Sequence, residues 1–224
     1  IKLIKYDYIY GGYAGKAGDY LSTLSTSSYS SYKGAASSVD TFYYGYNQSS
    51  AASNVWSTSL LNTTNLNTTF LSTIGSTWSN KIASYSWQVG GNTIAKVRDV
   101  SAPNIFKNEI TSPATNTTVS KKVGLMYISD YAYAAAPSNW TKNVYGYDAS
   151  AVKTTNWMYM GLPEWIITPK SDTTGNSYYV AQSGYVSFVA ASSSKTAIRP
   201  AFYLNWSVTY QSGSGSQSDP IRIS

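Results

Sequence analysis

Residues 176–196 read N-S-Y-Y-V-A-Q-S-G-Y-V-S-F-V-A-A-S-S-S-K-T, and the fold turns on how this stretch is taken. Tyr178, Val180 and Gln182 alternate with Tyr179, Ala181 and Ser183. Gly184 interrupts, and Tyr185, Val186, Ser187, Phe188 and Val189 alternate again. A period of two broken by glycine predicts an antiparallel hairpin. Val180, Val186 and Val189 are expected to face inward, with Tyr179, Ser183, Tyr185, Ser187 and part of 190–193 facing out.

Both flanks read as scaffold. Upstream, N-W-M-Y-M-G-L-P-E-W-I-I-T-P-K (156–170) is aromatic and β-branched enough to be buried; downstream come I-R-P-A-F-Y-L-N (198–205) and a closing D-P-I-R-I-S. Tyrosines and small polar residues held between stiff apolar segments have the composition of a recognition surface, because Tyr supplies contact area at low entropy cost while Ser and Gly adapt.

Composition narrows the function classes. The 224 residues can bury one large core without staples. The absence of cysteine removes disulfides and thiolate chemistry, and the absence of histidine removes the commonest general base and metal ligand. An enzyme would have to rely on paired carboxylates. Asp130, Asp148, Glu164 and Asp172 show no such spacing, so no enzymatic activity, cofactor or metal is expected. The net charge of +6 comes from scattered lysines without a basic stripe, which argues against nucleic acid as a partner. Only 12% of residues are charged while Ser, Thr, Tyr and Asn abound, a balance of extracellular and cell-surface proteins. No apolar run is long enough to span a membrane. A start at I-K-L-I without Met reads as trimmed, so an export signal or anchoring helix, if there is one, would lie ahead of Ile1.

Along the chain, 1–10 is expected to be a first strand that pairs with the last, 221–223. Residues 13–54 read as a loop-rich insertion in a single domain, 1–224. Over 65–83, Leu66, Phe70, Leu71, Ile74, Trp78 and Ile82 recur at three- and four-residue spacing, which predicts a helix capped by Asn67 and packed on a sheet. Further elements are a strand at 85–89, a helical turn at 104–110, a buried strand at 123–130 followed by a loop at 131–138, and strands at 157–160 and 165–168. Arg199, before a proline at a strand–loop junction, is expected to hold an ion pair or backbone carbonyls.

The order K-V-G-L-M-Y-I-S-D-Y-A-Y-A (122–134), the 156–169 segment, I-R-P-A-F-Y-L-N-W-S-V-T-Y (198–210) and S-G-S-G-S-Q-S-D-P-I-R-I (212–223) resembles surface proteins of gut Firmicutes and Mollicutes. These are the C-type-lectin-fold variable proteins of diversity-generating retroelements, often attached to a pilin-like helix. W-S-T-S-L-L-N-T-T-N-L-N-T-T-F-L (56–71) extends the likeness over most of the chain from about residue 55. The resemblance implies an α+β, C-type-lectin-like fold of small sheets flanked by one or two helices with paired termini. It also implies a variable ligand-binding region, about 156–196, ending before Arg199.

Such a protein would bind a protein or glycan on another cell or phage. The contact set expected on this basis is Tyr159, Pro163, Trp165, Tyr178, Tyr179, Ser183, Tyr185, Ser187, Phe188, Ala190 and Ser192. The chain departs from enzymes of the same fold by lacking cysteines. Neither Pro137-Ser138-Asn139 nor Pro163-Glu164 matches the calcium-binding triplets of sugar-binding members. A structural filament subunit and a glycan-binding module remain alternatives.

Overall fold

The structure, a computed structural model, describes residues 1–9, 11–15, 32–34, 43–47, 53–193, 196–216 and 218–224. Most of the expected insertion at 13–54 therefore lies outside the described residues. In chain order the strands are β1 (Lys2–Ile4), β2 (Ile82–Ala83), β3 (Tyr85–Gln88), β4 (Thr118–Lys121), β5 (Val123–Gly124), β6 (Glu164–Pro169), β7 (Asn176–Val180), β8 (Val186–Ala190), β9 (Ala201–Leu204), β10 (Tyr210–Ser212) and β11 (Arg222–Ile223). They form small antiparallel sheets beside a few short helices, an α+β architecture.

β9 is the axis of the largest sheet. β1 pairs along it as Leu3 with Phe202 and Ile4 with Ala201. β5 and β2 also pair with β9, β5 at Ala201 and Phe202 and β2 at Tyr203 and Leu204. The termini are consequently not paired with each other, contrary to expectation. β1 takes β9 because Leu3 and Ile4 meet apolar partners there, whereas β11 folds back on β10 through a turn in which Gly213 has a φ of 101°.

The hairpin predicted at 176–190 is present. β7 and β8 pair with Tyr178 opposite Phe188, Tyr179 opposite Ser187 and Val180 opposite Val186, and β6 lies on the other side of β7. Gly184 makes the turn at a φ of 98°. Its sidedness differs from the sequence reading. Val180, Val186, Tyr178 and Ile166 join one core cluster, while Val189, Tyr179, Trp165 and Ile167 pack against another. The sheet is buried on both faces, so the three valines do not share a side and Tyr179 points inward.

The amphipathic stripe packs on the sheet as expected, with Leu66 and Phe70 in the cluster that holds Val123 and Ala201. Its winding starts earlier and stops earlier than 65–83. Leu61–Phe70 is π-helical, short α-helical turns follow at Leu71–Thr73 and Gly75–Ser79, and Ile82 belongs to β2. Asn67 is therefore not a cap. Its amide donates to the Val123 carbonyl at 2.8 Å and accepts from the Val123 N–H at 3.0 Å, as a neighbouring strand would. Trp78, past the break at Gly75, is 55% exposed.

The run at 123–130 is strand only at β5, and 131–138 is not simply loop. A helix, Ile128–Tyr133, begins there because carboxylates meet its free amides. Asp130 accepts from the Tyr127 N–H at 2.7 Å, and Glu109 accepts from Ile128 and Ser129 N–H at 2.9 Å each. Residues 85–88, 104–110 and 164–169 fold as predicted, while 157–160 is irregular, with Met158, Tyr159 and Met160 buried.

Glu109 also accepts from the Ser129 hydroxyl at 2.7 Å and from Thr168 on β6. Burial pushes its carboxyl above the ordinary value against the pull of these donors. A group with a raised folded value contributes stability that is complete below its unfolded value and is lost as pH rises through the folded one. Glu109→Gln is expected to cost about 1–3 kcal/mol, because its amide NH2 faces hydrogen-bond donors. The gap in unfolding midpoint between wild type and variant should shrink as pH rises above the ordinary glutamate value of about 4, read by thermal melts at a series of pH values.

Candidate binding face on the hairpin

Strand alternation and turn anchoring divide the expected contact residues. Trp165 and Tyr178 are fully buried and Tyr159 nearly so. These three are corrections to the expected surface, and each has a structural partner. The Tyr178 hydroxyl donates to the Asn92 carbonyl at 3.2 Å, Trp165 Nε1 donates to the Tyr44 carbonyl at 2.7 Å, and the Tyr159 hydroxyl donates to the Gln182 carbonyl. Burial raises both phenols above their ordinary value. They are neutral hydrogen-bond donors that tie side chain to backbone.

Tyr159 and Tyr131 hold the hairpin tip from below. The Tyr131 hydroxyl donates to the Gly184 carbonyl at 2.6 Å, so both ends of the 182–184 turn are fastened to buried phenols. Tyr131→Phe leaves that carbonyl without its buried donor and is expected to cost about 1–3 kcal/mol. The cost should appear as a lowered urea midpoint together with faster amide exchange at 182–185 than elsewhere in the sheet.

What remains accessible is a strip along β8 and the tip. Ser183, Phe188, Ala190 and Ser192 are exposed, while Tyr185, Ser187, Tyr179 and Pro163 are half-buried. Phe188 and Ala190 share one side of β8; Ser187 and Tyr179 lie on the other, so the expected single face is split by the strand's pleat. Tyr179 packs edge-on to Trp165 at 6.4 Å and belongs more to the core than to the strip.

Neighbours from outside the hairpin complete the strip. Tyr145, 52% exposed, meets Tyr185 edge-on at 5.6 Å, and the Arg98 guanidinium lies 4.4 Å from the Tyr145 ring centre while pairing with Asp99 at 2.6 Å. Lys170 sits 5.0 Å over the Phe188 ring and is bonded to Asp172 and to the Thr173 hydroxyl at 2.9 Å. The hydrogen bond from Lys170 holds Asp172 below the usual carboxylate range. The strip therefore carries aromatic rings edged by compensated ion pairs. Sequence reasoning missed Tyr145, Arg98 and Lys170; the only local signal was the Tyr-Gly-Tyr spacing at 145–147.

Arg199 is placed as expected. Its guanidinium makes two 2.8 Å bonds to Glu164, the first residue of β6, and also donates to the carbonyls of Met158 at 2.5 Å and Tyr6 at 3.4 Å. Both charged side chains are 2% exposed. The chain's two glutamates are thus both committed to structure. Among the described residues no three of His, Cys, Asp and Glu gather as a metal-binding group, and no helix is long and apolar enough to cross a membrane.

Compared with known protein families, with curated proteins and with solved structures, the chain matches none.

Proposed function

We propose that the chain is an extracellular, surface-attached recognition protein that binds a protein or glycan on another cell or phage through the β8 strip. The scaffold proposed is of C-type-lectin type, with 156–196 as its variable region. The observation that carries this reading is the division within a single hairpin. One set of side chains is buried and fastened by hydroxyl and indole donors, while Ser183, Tyr185, Phe188, Ala190 and Ser192 project uncharged area on a rigid support. Rigid aromatics beside small adaptable residues lower the ordering cost of binding.

Sequencing the gene's 3′ end across a population of the source organism tests this. Variation concentrated at codons 183, 185, 188, 190 and 192, with 164, 165, 178 and 199 constant and a template repeat nearby, is the expected result. Uniform variation, or none, contradicts it.

A second reading, a filament subunit, is favoured by an open apolar groove of about 400 Å³ lined by Leu3, Phe70, Ile74, Trp78 and Leu204. Concentration-dependent polymerisation abolished by Trp78→Ser would support it over the first; a monomer at all concentrations would exclude it.

A further inference from the structure

A second cleft, of about 380 Å³, opens between β1, the Ile128–Tyr133 helix and the residue pair Trp157 and Met158. Phe106, Tyr133 and Trp157 line it and are 46%, 36% and 67% exposed, so three aromatic side chains meet solvent around one depression. The buried side chains of Met126 and Met158 form its floor. Trp157 stands in a segment that reads as buried scaffold, and its exposure has no explanation in the packing of the core.

The polar edge of the cleft is Lys2 and Asp130, joined as an ion pair. Asp130 Oδ2 takes both the Lys2 bond and the Tyr127 N–H, which leaves Oδ1 without a hydrogen bond among the described residues. The Lys2 ammonium gives one donor to Asp130 and lies 4.5 Å from the Tyr127 ring centre and 5.5 Å from that of Trp87, which leaves part of it to the cleft edge. The edge thus offers donors and an acceptor side by side with its charge compensated internally. A charged ligand would have to compete with that ion pair, whereas hydroxyl groups, which donate and accept at once, match it without disturbing it.

From this combination we infer that the cleft binds a neutral saccharide. One sugar ring lays its C–H face on Trp157 or Tyr133, whose ring faces are electron-rich, and its hydroxyls reach Asp130 Oδ1 and Lys2 Nζ. None of the exposed hairpin positions lines this cleft, so the site is separate from the proposed recognition strip.

Saturation-transfer NMR and titration calorimetry on the full chain test it, with methyl glycosides of glucose, galactose, mannose and N-acetylglucosamine, their neutral oligomers, and a glucuronide as the charged comparison. At least one neutral sugar should bind, Trp157→Ala should weaken it by about tenfold or more, and the glucuronide should bind more weakly. Tyr185→Ala/Phe188→Ala should leave it unchanged. Trp157 is too exposed for its loss to unfold the chain, and a thermal melt confirms that. Failure of the whole neutral panel to bind, binding that survives loss of both Trp157 and Tyr133, or binding that falls with the hairpin variant instead would each overturn the inference.

Discussion

Glu164→Gln is expected to lower the stability of the chain by about 3–5 kcal/mol, the cost of breaking a buried ion pair from one side. For a chain of this size that corresponds to a fall in Tm of roughly 6–20 °C. The reason lies with the partner. Arg199 is 2% exposed and cannot shed its proton, so without the carboxylate its charge is left with neutral groups only: the Met158 and Tyr6 carbonyls, the Tyr8 ring 5.6 Å away and the amide oxygen of the new side chain. The reverse change is milder. Burial already pushes the Glu164 carboxyl above its ordinary value, with Arg199 pulling it back, so Arg199→Met lets Glu164 take up a proton. Replacing both by Met should recover most of the loss, because an apolar pair of similar volume avoids desolvating two charges. Urea unfolding of the three variants measures this order. An equal cost for both single changes, or a double variant worse than either, would show that the bridge does not dominate at this site.

Trp165→Ala is expected to cost a further large amount, about 3–5 kcal/mol. The indole is fully buried, sits edge-on to Tyr46 at 5.6 Å and opposes Tyr179 across the β6–β7 ladder. Its loss opens a cavity beside Tyr46 and Tyr179, and it removes the donor that satisfies the Tyr44 carbonyl. Trp165→Phe separates the two contributions by retaining most of the volume and losing only the hydrogen bond, at about 1–3 kcal/mol. If either variant melts within a degree or so of wild type, the indole is not part of the packed core and the division of the hairpin into support and surface fails with it.

The hairpin was legible because alternation and a glycine are local signals. So was the role of Arg199, since an arginine before proline in an apolar run has few places to put its charge. Sidedness was not legible. Alternation says which residues share a face; it cannot say that both faces will be covered, and here two core clusters enclose the sheet. The tyrosines misled for a related reason. A phenol reads as an exposed contact until a carbonyl is found for it. In this chain Tyr8, Tyr46, Tyr131, Tyr147 and Tyr178 each donate to a backbone oxygen inside the protein. Those partners lie 15 to 154 residues away in sequence, beyond any local pattern.

Glu109 escaped notice similarly, because its partners at 128, 129 and 168 are assembled only by the fold. The pairing of the first strand was misassigned because Ile221-Arg222-Ile223 mirrors residues 1–4 in character. Burial decides for β9 over β11, and the sequence shows nothing of it.

The central claim is that the residues supporting the hairpin and those available for recognition are different sets on the same two strands. A saturation library over 156–196, displayed and scored by protease resistance without any ligand, tests it most directly. The account predicts near-neutral tolerance, within about 0.5 kcal/mol, at Ser183, Phe188, Ala190 and Ser192, and strong intolerance at Tyr159, Glu164, Trp165, Tyr178, Val180 and Val186. Intolerance spread evenly along both strands, or tolerance at the buried positions, would contradict it.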